Sequence, residues 1–359
     1  MISTIRVDGT RQRWWHVVRL TVLLVACQTA SPPPPRTAAP APAPAPPLLD
    51  GPLAAHLPAA GLRWLVIARP RELLARQAVA DAVRLLVPDA RWRAHAKVTG
   101  LDLRHAETAL AAGFDLGTVY MVTTKDENER VEQVFGARLH HDPIVAHPHP
   151  RVVRMVGVMD DVPEALVSVR GAFVAFAVGD TTLARIVEAF ARRKLHRSPS
   201  AMDGAALSSL PAHLDRAPVR FYMPGPFEDE WANAARGLFA ACTALAVTAT
   251  PTANGTLVVT VILAGDFDPG DTEAAERLNG GFGDLAASST GRLFGLNQPV
   301  TPPRAQARDG RLELHVELDL QQTARGLRDA VSGEVWQILD LAPPKHTPKR
   351  IGGESATPE

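Results

Sequence analysis

From Arg311 to Leu320 the chain alternates without interruption. Leu312, Leu314, Val316, Leu318 and Leu320 take one parity, and Glu313, His315, Glu317 and Asp319 take the other. Successive side chains of a strand point to opposite faces, so this segment predicts a half-buried strand in an antiparallel sheet with one wet face. Asp309-Gly310 immediately before it is a turn signal.

The surrounding residues extend that prediction. Val219–Met223 reads as a short strand, and Pro226–Ala241 as a helix with Glu228, Asp229 and Glu230 at its positive end. Ala244–Thr250 and Thr256–Ala264 are β-rich runs separated by Asn254-Gly255, which suits the primed turn of a hairpin. Asp271 is placed to cap a helix running to about Ser288, and a last helix covers about Gln321–Ala330. The order β-α-β-β-α-β is that of the split βαβ, or ferredoxin-like, arrangement.

The N-terminal half follows a looser version of the same order. Leu62–Ala68 and Val119–Thr123 read as strands, and Pro70 opens a helix to about Leu86. Short helices are expected near Ala90–Lys97, Leu103–Ala112 and Arg130–Phe135. Val152–Val158 is β-rich, Ala165–Val178 is a hairpin turning at Arg170-Gly171, and Asp180 caps a helix over Thr181–Lys194. The fold class expected is therefore α+β, as two tandem antiparallel-sheet units over 48–205 and 206–341, the C-terminal one ferredoxin-like.

Ahead of these units lies a different composition. Ser31 to Pro47 holds nine of the 31 prolines, with Pro32 to Pro35 consecutive and Ala-Pro alternation following. Such a tract favours extended polyproline geometry at about 3.1 Å per residue, so 28–47 forms a spacer of roughly 60 Å. Before it, Arg6, Arg11, Arg13 and Arg19 precede the short apolar run Leu20–Ala26, the layout of an export signal. That run is too short to span a bilayer, which takes about 20 residues. The tail 342–359 carries prolines, glycines and charges without apolar period and is expected to be disordered.

Leu24-Val25-Ala26-Cys27 resembles the lipobox of bacterial lipoproteins. The resemblance implies a signal peptide over 1–26, cleavage before Cys27, and acylation of Cys27 through its sulfur and new amino group. Residues 27–47 then become a lipidated cysteine and its linker. Gln28, being other than Asp, implies the outer membrane where the organism has one. One acyl chain binds a membrane only marginally, whereas two or three hold a protein there.

Composition narrows the function further. The chain has 38 basic and 38 acidic residues. Loss of 1–26, with four Arg and Asp8, leaves a net charge of −3. A near-neutral body has no electrostatic footprint for nucleic acid, so no nucleic-acid partner is expected. Arg192-Arg193-Lys194 reads as the solvated end of a helix. Of two cysteines, Cys242 sits in an apolar run and reads as a small core residue.

The densest set of ligand-type residues is His140, His141, Asp142, His147 and His149. Imidazoles with a carboxylate suit zinc or copper, although Pro143, Pro148 and Pro150 make an exposed polar loop the plainer reading. Asp266 to Asp271 lacks the later glutamate of a calcium loop and reads as a helix cap. Asn279 to Gly283 lies within a helix, where glycines indicate close packing rather than a phosphate loop. No short catalytic motif is present. The leading expectation is a membrane-anchored lipoprotein of the cell envelope with a non-enzymatic binding or structural role and an envelope protein partner. The alternatives are metal binding or sensing through His140–His149, and a periplasmic hydrolase whose site assembles only in space.

Overall fold

The computed structural model describes residues 45–341 apart from 116, 126, 229 and 230. The expected signal 1–26, Cys27, most of the 27–47 linker and the tail 342–359 lie outside the described residues.

Strand β1 (Leu62–Ala68) leads into α1 (Pro70–Leu74), α2 (Gln77–Leu86) and α3 (Asp89–Thr99). Strands β2 (Ala109–Phe114) and β3 (Gly117–Thr123) follow, then α4 (Asn128–Ala137). Four strands come next, β4 (Ile144–His149), β5 (Val152–Met159), β6 (Val162–Val169) and β7 (Phe173–Val178), and α5 (Thr182–Ala191) closes the half. The second half runs β8 (Val219–Pro224), α6 (Ala234–Gly237), β9 (Cys242–Pro251), β10 (Thr256–Gly265), α7 (Thr272–Ala287), α8 (Ser289–Leu293), β11 (Thr301–Arg308), β12 (Arg311–Asp319) and α9 (Leu320–Leu341).

All twelve strands join in one antiparallel sheet, ordered β11-β12-β10-β9-β8-β1-β2-β3-β7-β6-β5-β4. The α+β class holds. The halves meet by strand pairing, β1 against β8, with Leu65 opposite Tyr222. On either side of that seam the order is the same: β8-β9-β10-β12-β11 one way and β1-β2-β3-β7-β6 the other, with β5-β4 appended.

The ferredoxin-like expectation for the C-terminal half is corrected by this topology. A split βαβ leaves room for another strand between its first two, whereas β8 and β9 pair directly. The reason lies in 226–241. Ala235 and Arg236 take positive φ of 49° and 60°, which breaks the expected helix into short pieces. No regular crossover helix forms, and the chain turns straight back.

Three strands escaped the sequence reading. β4 was masked by Pro143, Pro148 and Pro150, but an edge strand tolerates proline because one of its sides makes no ladder bonds. β11 was masked in the same way by Pro302 and Pro303, and it forms the opposite edge. The alanines of 103–112 suggested a helix, yet Ala109–Phe114 is strand β2, flanked by β1 and β3.

The two faces of the sheet are covered differently. Leu65, Ile67, Leu110, Met121, Ala175 and Tyr222 belong to a core that includes Leu183 and Val187 of α5 and Leu53 and Leu57 of the entering segment. The opposite face packs α4 through Val131 and Phe135 onto Val122, Leu166 and Phe176. On that same face α7 packs Ala274 and Leu278 onto Leu263, Leu312 and Leu314. Asp271 caps α7 as expected, its carboxylate accepting from Ala274 N at 2.9 Å. The glycines of α7 allow close approach: a Cβ on Gly281 would lie 2.8 Å from the Ala235 Cα.

Candidate functional site

The face shared by α4 and α7 carries a continuous apolar row. Following the strand register, Leu314, Val261, Val247, Phe221, Val66, Ala111, Tyr120, Phe176 and Leu166 stand side by side. Leu314 and Leu166 are 2% and 0% exposed, beneath the helix-covered ends. Between them Val66, Ala111, Phe221 and Val247 are only half-buried, and Tyr120 is 47% exposed. A large side chain left in the open on a sheet face is the informative departure from ordinary burial.

A pocket of about 400 Å³ opens on the β1-β2-β3-β7 part of this row. Its floor is small because β2 presents Ala109, Ala111 and Gly113 at alternate positions on that face. Gly113 is required: Trp64 lies across it, and a Cβ there would meet Trp64 Nε1 at 2.2 Å. Val66 and Phe176 add apolar surface, and Leu101 and Leu103 close the wall beyond α3. The volume and lining are those of a small-molecule or apolar-segment site.

Polar groups are few. Thr99 of α3 donates its hydroxyl to the His95 carbonyl at 2.8 Å, so that oxygen is already occupied. Arg138 and Glu164 form an ion pair with side chains 18% and 8% exposed. The Arg138 guanidinium also lies 5.0 Å from the Phe135 ring centroid and 5.9 Å from that of Phe176. Arg138 Nε has no hydrogen-bond partner among the described residues. The pocket is thus an apolar chamber with one fixed charge pair in its wall.

A second concavity of about 440 Å³ is ringed by charged residues, among them Arg71, Asp102 and Lys125. Most of its charges are paired with one another. Glu107 accepts from Lys125 Nζ at 3.0 Å and faces Arg71 at 3.3 Å, and Lys125 and then Arg71 hold its carboxyl below the usual range. Asp102 is held down chiefly by its hydrogen bonds to Arg104. A surface whose ions already pair offers a ligand little.

Of the five ligand candidates, His147 and His149 lie on β4, and His140, His141 and Asp142 lie in the segment that leads from α4 into it. His149 stands at the β4-β5 turn, opposite Val152, while the His140 backbone N–H donates to the Val158 carbonyl. Six residues of β5 separate these points, about 20 Å at strand rise. His140 Nε2 accepts from Asp160 N at 3.0 Å, and His149 Nδ1 accepts from Arg151 N at 3.1 Å. His140 and His141 share a shallow depression with Asp160 and Asp161, whereas Asp142 and His147 are exposed outside it. Among the described residues no three His, Cys, Asp or Glu side chains converge as metal ligands. Cys242 is 5% exposed, donates to the Leu238 carbonyl at 3.2 Å, and is pushed up to about 12 by burial, as a core thiol would be.

The sequence reading missed the pocket residues. The signal available was the period-two run of small residues Ala109, Ala111 and Gly113, which leaves space on one face of a strand.

No protein-family model matches the chain, and no curated protein matches it in sequence. Two crystal forms of TP0453, a Treponema pallidum protein, are similar in structure. One gives a TM-score of 0.44 at 8% identity, covering 78% of this chain and 99% of that one. The other gives 0.43 at 7%, covering 77% and 96%. No helix among the described residues is long and apolar enough to cross a membrane.

Proposed function

We propose that this protein is a cell-envelope lipoprotein, held to the membrane by lipid on Cys27, whose body binds an apolar ligand without chemistry. The ligand would be an alkyl chain or the apolar stretch of an envelope protein partner. The observation that carries the reading is the open pocket over Val66, Ala111 and Phe176, with Tyr120 exposed at its mouth. Each methylene moved from water into such a chamber gains about 0.8 kcal/mol. The Gln28 that follows Cys27 supports the outer membrane as its location. The zinc or copper alternative through His140, His141, Asp142, His147 and His149 has no comparable support, because His140 sits beside Val158 and His149 beside Val152, at opposite ends of β5.

The test is a titration with anilinonaphthalene sulfonate, followed by displacement with alkyl sulfonates of increasing length. Binding should tighten about fourfold per methylene until the pocket is full. Ala111→Phe fills the floor and should abolish the effect. Displacement that is indifferent to chain length, or unchanged in Ala111→Phe, refutes the site. Cys27→Ala should move the protein from the membrane to the soluble fraction, and retention on the membrane refutes the tether.

A further inference from the structure

The described chain enters the body at a defined place. His149 Nε2 meets the Pro46 carbonyl at 3.1 Å, and Leu49 N donates to the Ala191 carbonyl at 2.7 Å. Residues 46–49 therefore lie between the β4-β5 turn and the C-terminal end of α5. That end of α5 continues directly into Arg192, Arg193, Lys194 and Arg197, and the β4-β5 turn contributes Arg151.

The charges here are unequally matched. Arg154 and Arg192 share Glu188, and Arg170 is taken by Glu132 and Glu129. No ion pair is formed by Arg193, Lys194 or Arg197 among the described residues, and all three are exposed, whereas the Arg151 guanidinium donates to the Arg170 carbonyl at 2.8 Å. Asp50 is the only acidic residue of 45–50. Arg193 moreover takes a positive φ of 56° as the helix ends, a position where glycine is the usual choice. Its backbone is pinned there by Arg193 N to Phe190 O at 2.8 Å and Lys194 N to Ala189 O at 2.8 Å. The chain keeps a cation where the backbone favours no side chain.

We infer that this end of the body is a docking surface for an anionic phospholipid bilayer, the one in which the proposed lipid of Cys27 would sit. The inference rests on that tether reading. Charge complementarity names the partner: unpaired guanidinium and ammonium groups on one surface match phosphate headgroups. Placement supports it, because seventeen residues separate Cys27 from Ala45 and the spacer joins the body beside these cations. A flexible tether raises the local concentration of whatever surface lies at its root.

The experiment uses the chain from residue 27 onward, the form that the proposed processing leaves, carrying Cys27→Ser, so that neither lipid nor the four arginines of 1–26 play a part. It is sedimented with vesicles of phosphatidylcholine alone and of phosphatidylcholine mixed with phosphatidylglycerol. Binding should require phosphatidylglycerol and fall as salt is raised. Each cation near such a surface is worth about fivefold, so Arg193→Gln/Lys194→Gln/Arg197→Gln should weaken binding roughly a hundredfold. These residues are exposed, and an unchanged unfolding midpoint will show that the fold survives. No binding to either vesicle, equal binding to both, or a triple variant that binds like its parent overturns the inference. A failed tether reads out separately, as an unacylated Cys27 in the mass of the membrane-fraction protein.

Discussion

Glu164 is the residue whose loss should be felt most sharply in the pocket wall. Its side chain is 8% exposed and pairs with Arg138, itself 18% exposed and seated over Phe135 and Phe176. Glu164→Leu would leave a guanidinium in apolar surroundings with Nε already unpartnered. Breaking one side of a buried pair costs about 3–5 kcal/mol. The ring contacts that Arg138 keeps are common to parent and variant and cancel, so the net loss should be about 3–5 kcal/mol. Arg138→Met/Glu164→Leu removes both charges and fills similar volume, and it should lie within about 1 kcal/mol of the parent. Urea unfolding of the parent, both single variants and the double gives the cycle, provided the slopes agree. The reasoning fails if Glu164→Leu costs less than about 1 kcal/mol, or if the double variant equals the sum of the singles.

Three further outcomes follow from the packing. Asn128 is buried and bonds Thr124, Gly171 and Ser168, so Asn128→Ala should cost about 2–3 kcal/mol in urea unfolding; a loss below 1 would show that water replaces it. Burial lowers His56 to about 4, against a smaller opposing effect from Asp50. The unfolded chain then takes the proton first, so stability is full above about pH 6.5 and falls towards pH 4, by about 2 kcal/mol from pH 7.5 to pH 5. His56→Leu should flatten that slope, and an unchanged slope would assign it to other groups. Zinc titration should show no stoichiometric uptake that depends on His140, His141, His147 and His149 together, since His140 and His149 meet points of β5 about 20 Å apart; uptake lost in the fourfold alanine variant would reverse this.

Alternation made most strands legible. Leu62–Ala68 coincides with β1, the Asp271 cap sits as expected, and the expected hairpin joins β9 and β10, although with positive φ at Gly255 and not at Asn254 its turn is not a primed one. Capping by Asp180 is likewise seen, its carboxylate accepting from Thr182 N at 2.8 Å. What the sequence hid was long-range. Proline rules out central strands, but β4 and β11 are edges, and edge position is set by partners far along the chain. Alanine favours helix locally, yet Ala109 and Ala111 lie between β1 and β3, and tertiary pairing overrides propensity. The pocket was invisible for the same reason, because Val66, Ala111, Tyr120 and Phe176 become neighbours only through register across four strands.

The most direct measurement is photolabelling of the full, membrane-anchored chain with an apolar diazirine probe, followed by peptide mapping. Label should concentrate on β1, β2 and β3, around Val66, Ala111 and Tyr120, and should vanish from those peptides in Ala111→Phe. Label that spreads to the exposed Ile144 and Val145 of the β4 edge, or that persists in Ala111→Phe, would contradict an apolar binding site on this face of the sheet.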